Sequence, residues 1–160
     1  MFDFGMWEGF MTSIRYWAGV VTMVVMTATP AQAQQAAAAG RIKVVSGSAF
    51  ILHEGKQVPA QVGQDVYAAD ALRTGNNGRI GVTLKDDTRI SLGPSSEVRL
   101  ERFNYATADG GLALVLKVVR GVAAYVSGRI AKLAPDSIRL ETPAAIVGVR
   151  GTSLAIRVGR

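Results

Sequence analysis

"RIGVTLKDDTRISLGPSSEVRLE", residues 79–101, decides how this chain folds. Ile80, Val82 and Leu84 alternate with Arg79, Thr83 and Lys85. Past the turn at Asp86-Asp87, Ile90 and Leu92 alternate with Arg89 and Ser91. Beyond Gly93-Pro94-Ser95-Ser96, Val98 and Leu100 alternate with Glu97, Arg99 and Glu101. Successive strand side chains point to opposite faces, so this period of two gives each strand one dry face and one wet face. Strands of this kind, separated by turn signals every eight to ten residues or so, predict antiparallel sheets stacked in two layers.

The pattern extends in both directions. Strands are expected at 41–45, 48–53, 56–62, 79–85, 88–92, 97–103, 112–119, 121–126, 137–141, 145–149 and 152–158, and no stretch shows a helical period. The fold class is therefore all-β: a two-layer sandwich-like or flattened β-roll of short strands. The regular spacing also permits a β-solenoid with short rungs, and the sandwich-like reading is the favoured one.

Ahead of the strands lies a different composition. Residues 12–33 carry Arg15, an uncharged apolar run from Trp17 to Met26 and the small-residue pattern Ala31-Gln32-Ala33. These are the marks of a helical signal peptide, residues 1–33, with cleavage expected before Gln34. The apolar run is about half of the roughly 20 residues a spanning helix requires. Asp3 and Glu8 precede Arg15, so Met11 is the expected true start. Residues 34–40 (QQAAAAG) read as a low-complexity spacer, and residues 41–160 as one β-domain.

Of the 160 residues, all five Met and both Trp fall before Gln34. From Gln34 onward the chain holds 17 Lys and Arg against 10 Asp and Glu, a net charge of +7, and no Cys anywhere. Disulfides, zinc thiolate sites, a cysteine nucleophile and a lipoprotein anchor are thereby excluded. In the oxidising compartment that export implies, the fold is held by its core alone.

Two stretches together resemble the FecR domain family: residues 70–101, and "ETPAAIVGVRGTSLAIRV" at 141–158. The shared elements fall on Asp70, Thr74-Gly75, Asp87-Thr88, Pro94-Ser95-Ser96, Thr142-Pro143 and Arg150-Gly151-Thr152, in order, over roughly Arg41 to Val158. The turn Asp86-Asp87-Thr88 lacks the family's usual Gly, so a primed turn with a left-handed Asp is expected there. The resemblance implies a periplasmic sensory β-domain. The best-known members add a short cytoplasmic anti-sigma segment, and this chain has a leader in that place, so it resembles the sensory half alone.

Arg150 has the strand parity of Ile146, Leu154, Ile156 and Val158, an apolar face. We expect a structural clasp, with Arg150 satisfied by a carboxylate and Gly151-Thr152 allowing a bulge. Asp70, the other charged residue of the family pattern, is the expected partner. His53 is the sole histidine; without a companion nucleophile or further N and S donors it supports neither a triad nor zinc, and it reads as a solvated turn residue. Asp86-Asp87 reads as a hairpin turn rather than an acid-base pair or calcium loop. Residues 74–79 (TGNNGR) lack the Gly-Lys-Ser/Thr ending of a phosphate loop and read as a turn.

No catalytic constellation assembles from these residues, so no enzyme, cofactor or metal is expected. Two classes of function remain. The first is a non-enzymatic envelope protein acting in protein interaction or surface sensing. The second is a binder of an anionic envelope component, such as glycan or lipopolysaccharide, through Arg79, Lys85, Arg89 and Arg99. Nucleic acid is not expected, because export removes it as a target. The expected location is periplasmic or secreted.

Overall fold

The computed structural model describes residues 37–106, 111–149 and 153–159. The strands are β1 (Gly40–Ser46), β2 (Ala49–His53), β3 (Lys56–Pro59), β4 (Asp65–Val66), β5 (Ala71–Thr74), β6 (Arg79–Leu84), β7 (Arg89–Leu92), β8 (Glu97–Ala106), β9 (Gly111–Val126), β10 (Ile138–Glu141), β11 (Ile146–Gly148) and β12 (Ser153–Val158). A single-turn helix α1 (Ile130–Leu133) and a 3-10 turn (Pro135–Ser137) separate β9 from β10. The protein is all-β, as the alternation requires. Ile80, Val82, Leu84, Ile90, Leu92, Val98 and Leu100 are each between 1 and 3 % exposed. Burying a side chain of this size contributes about 1.5–3 kcal/mol, so these seven positions carry much of what holds the sheets together.

The strands hydrogen-bond in the order β3-β2-β5-β8-β9-β7-β6-β1-β4. β9 is the shared element. Its first part, to Arg120, pairs antiparallel with β8 and parallel with β10; from Gly121 it pairs antiparallel with β7 and β12. One continuous sheet is thus curled into two layers that meet across a single core, with Ile42, Ile80 and Ile90 from one half packed in the same cluster as Ile51, Leu114 and Leu140 from the other. Antiparallel pairing throughout, apart from β9 with β10, is a curled sheet and not a stack of solenoid rungs.

Several expectations need correction. The strands expected at 112–119 and 121–126 are one strand, because Gly121 takes φ +83° and turns the chain without ending it. The strand expected over 56–62 stops at Pro59; Ala60 N–H still donates to the Ala49 carbonyl at 2.9 Å, and the chain then turns away, with Gln64 N–H donating to the Gln61 carbonyl. β4 and β5 were not foreseen, being two and four residues long. Neither was α1, since four residues are too few to display a 3.6-residue period.

The turn after β6 is not primed. Asp87 N–H donates to the Leu84 carbonyl at 3.0 Å and Leu84 N–H to the Thr88 carbonyl at 2.8 Å, while only Asp87 takes a positive φ, +67°. This is the longer hairpin connection with one left-handed residue, the slot where Gly is usual and Asp is tolerated.

Candidate functional site

Short polar residues tie the turns of the two layers together. The Thr74 hydroxyl donates to the Gly93 carbonyl at 2.7 Å and accepts from Ser96 N–H at 2.9 Å. The Ser96 hydroxyl donates to the Pro94 carbonyl and accepts from Val122 N–H, at 2.9 and 2.8 Å. Thr74 is 4 % exposed and Ser96 is fully buried. The turn of residues 74–79 is held the same way: Gly75 N–H reaches the Ser48 carbonyl, and a Cβ on Gly78 would stand 2.0 Å from that same oxygen.

Asp86 does more than make a turn. It is fully buried, and its carboxylate accepts from Thr88 N–H at 3.1 Å, the Thr88 hydroxyl at 2.7 Å and Ile130 N–H at 3.4 Å. Its carbonyl accepts from Arg129 N–H at 2.6 Å. The β6–β7 turn therefore anchors α1, which has no cap of its own.

Asp70 is 1 % exposed. Its Oδ2 accepts from Tyr67 N–H at 2.7 Å and its Oδ1 lies 2.5 Å from His53 Nδ1. Its backbone is zipped to β8, with Ala69 N–H donating to the Leu100 carbonyl and Leu100 N–H to that of Asp70. The His53 ring packs at 45° to Tyr67 with centroids 5.1 Å apart. His53 is thus corrected from a solvated turn residue to the partner of a buried acid. The expected clasp partner Arg150, with Gly151 and Thr152, lies outside the described residues.

The hydrogen bond to Asp70 raises the His53 pKa above its ordinary 6.5, with burial opposing and the charges of Asp70 and Glu54 adding. A histidine whose folded pKa is raised stabilises fully below its unfolded pKa, near 6.5, and loses that contribution as pH rises through the folded value. The ring is 44 % exposed, so solvent screening keeps the effect small. As the sole histidine, His53 gives one unambiguous NMR titration. We expect a midpoint above 6.5 that returns toward about 6.5 in Asp70→Asn; an unchanged midpoint would sink the pairing.

Glu97 was expected on a wet face, yet it is 5 % exposed. It points outward with Arg99, but arginines cover it. Arg73 Nε and Nη2 both stand 3.1 Å from Oε2, Arg120 Nη2 is 3.4 Å from that oxygen, and Arg99 Nη2 is 3.8 Å from Oε1. Arg73 and Arg120 flank Glu97 in register on β5 and β9.

The four residues expected to form an anionic-ligand surface are not gathered together. Arg89 pairs with Thr83 at one end of β6 and Arg79 with Ser46 at the other, Lys85 sits in the intervening turn, and Arg99 is on β8 in the other half of the sheet. Among the described residues, no three His, Cys, Asp or Glu side chains are placed to hold a metal.

The buried polar positions that fix the turns, Asp70, Thr74, Thr88 and Ser96, are those of the FecR pattern, and the chain matches the FecR protein family over residues 70–160. This protein belongs to the FecR family. The match covers β5 to β12 together with Asp70, the acid that meets His53. FecR proteins serve signalling or sensing in the cell envelope, which fits a periplasmic setting. No curated protein and no solved structure matches the chain.

Proposed function

We propose that this FecR-family chain is a non-enzymatic, exported sensing module that engages an envelope protein by accepting an extended segment of it along β12. One observation carries the reading. Among the described residues, β12 is a sheet edge open along its whole length. It pairs with β9 alone, runs six residues without proline, and carries one charge, Arg157. Other edges are blunted: β4 has two residues, β11 has three, β3 carries Lys56 and Pro59, and the stretch of β8 beyond β5 starts with a bulge between Leu100 and Arg102.

The side chains of β12 fit the same reading. Leu154, Ile156 and Val158 pack against the core yet stay half-buried, because no further strand flanks them. An added strand supplies main-chain hydrogen bonds to the edge, and its alternate apolar side chains cover that half-open face.

The test places a photo-crosslinking side chain at Ala155, on the exposed face of β12, and at Val58 on β3 in separate proteins. In envelope extract, a discrete adduct is expected from position 155 and not from 58, at low and high salt alike, because strand addition is only weakly screened. In the protein that carries the crosslinker at 155, Ser153→Lys should weaken the adduct strongly while stability moves by less than about 0.5 kcal/mol. Adducts equal at both positions, or lost at high salt, would refute strand addition.

A further inference from the structure

The outer face of β5, β8, β9 and β10 gathers basic side chains that the sequence scatters. Leu72, Val98, Leu100, Leu116, Val118 and Leu140 point into the core, so the residues alternating with them point out. Three cross-strand rows result. Arg73, Glu97 and Arg120 form one; Arg99, Lys117 and Glu141 the next; Arg102, Val115 and Arg139 the third. Six cations face two carboxylates, with Glu101 a third at the bulge in β8, so the face keeps a surplus of positive charge in every row. Arg73, Arg99 and Arg120 remain 33, 51 and 45 % exposed.

We propose that this face docks onto an anionic lipid surface, its guanidinium groups receiving lipid phosphates. Glu97 is the scaffold. One buried carboxylate converges three guanidiniums, neutralises one charge of three, and holds the side chains in place; Arg73 spends Nε and Nη2 on Glu97 and Nη1 on Gln57, whereas Arg99 and Arg120 meet Glu97 through Nη2 and can turn their other N–H groups to another acceptor. Holding them ready lowers the ordering cost of binding.

The openness of the face selects the ligand. A single free phosphate on an exposed sheet is screened and gains little, whereas an array of phosphates meets all three rows at once. Each basic residue near an anionic surface is worth about fivefold in partition. The proposal is independent of the β12 reading, since it concerns a different surface and survives that reading's failure.

The experiment measures co-sedimentation of the full chain with phosphatidylglycerol vesicles and with phosphatidylcholine vesicles. The second arm reports whatever the apolar residues 17–26 contribute. Lys117→Gln with Arg139→Gln, neither of them an ion-pair partner of Glu97, should lower partition onto phosphatidylglycerol by about 30-fold and leave the phosphatidylcholine arm unchanged. Arg41→Gln with Arg89→Gln, the same loss of charge on the other half of the sheet, should lower it by less than about threefold, through net charge alone. Equal losses from the two pairs would overturn the proposal. So would displacement by equimolar inorganic phosphate, or tighter binding to a soluble polyuronate, which would make the site one for a free anion or an acidic glycan.

Discussion

Asp86→Ala is expected to bring the domain close to unfolding, lowering its stability by about 3–5 kcal/mol in urea melts. The substitution strips the acceptor from Thr88 N–H, the Thr88 hydroxyl and Ile130 N–H, all in a buried setting. Each buried donor left unmet costs about 1–3 kcal/mol, and more where the lost acceptor was charged. The loss also unseats α1, whose Ile130 is fully buried. A domain of this size has about 5–15 kcal/mol in all. Asp87→Gly is the control: its carboxylate meets Arg129 at 2.8 Å, but both side chains are more than 60 % exposed, so the pair is worth at most about 1 kcal/mol. Glycine also relieves the left-handed backbone at that position. Equal midpoints for the two variants would show that Asp86 is only a turn residue.

Gly121→Ala should cost a comparable amount, about 3–5 kcal/mol, by a different route. A Cβ at this residue would stand 2.3 Å from Ser96 Oγ, 2.6 Å from Ser96 Cα and 2.7 Å from the Ser95 carbonyl oxygen, on a backbone with φ +83°. Two of those atoms are main chain, so no rotamer change clears them. The displaced Ser96 would lose its bonds to Thr74 and Val122. Gly148→Ala meets nothing within 4 Å and should change the melting midpoint by no more than about 0.5 kcal/mol implies. If both variants melt together, the crossing of β8 and β9 is looser than described.

Both predictions rest on contacts that periodicity does not record. The dry and wet faces of β6, β7 and β8 were legible because alternation is a local property, written in the same few residues that obey it. The motif resemblance was legible for a similar reason, since order along the chain is all it requires. Asp86 read as a turn residue because what buries it, Gly128 to Ile130, arrives more than 40 residues later. Glu97 obeys the alternation and points outward; its burial comes from arginines on two neighbouring strands, which register alone brings alongside. His53 and Asp70 are 17 residues apart and meet only after β2 and β5 have paired. The clasp proposed for Arg150 falls outside the described residues.

The position of β9 in the chain has a consequence for how the protein is made. Among the described residues N-terminal to it, the strand ladders fall into two groups, β3-β2-β5-β8 and β7-β6-β1-β4, linked by turn contacts such as Thr74 with Gly93 but not hydrogen-bonded strand to strand until residues 111–126 arrive. While the chain is delivered from its N-terminus, β7 and β8 each present an open ladder, and Ile90, Leu92, Val98 and Leu100 lack the neighbours Tyr125, Ala123, Val118 and Leu116 that β9 supplies on that side. Closure of both ladders is then a single late event in which β7 meets β9 across more than 30 residues of chain, and non-local pairing of this kind slows folding. A nascent chain halted before residue 111 is a pair of sticky half-sheets, and the arrival of one strand turns it into a domain.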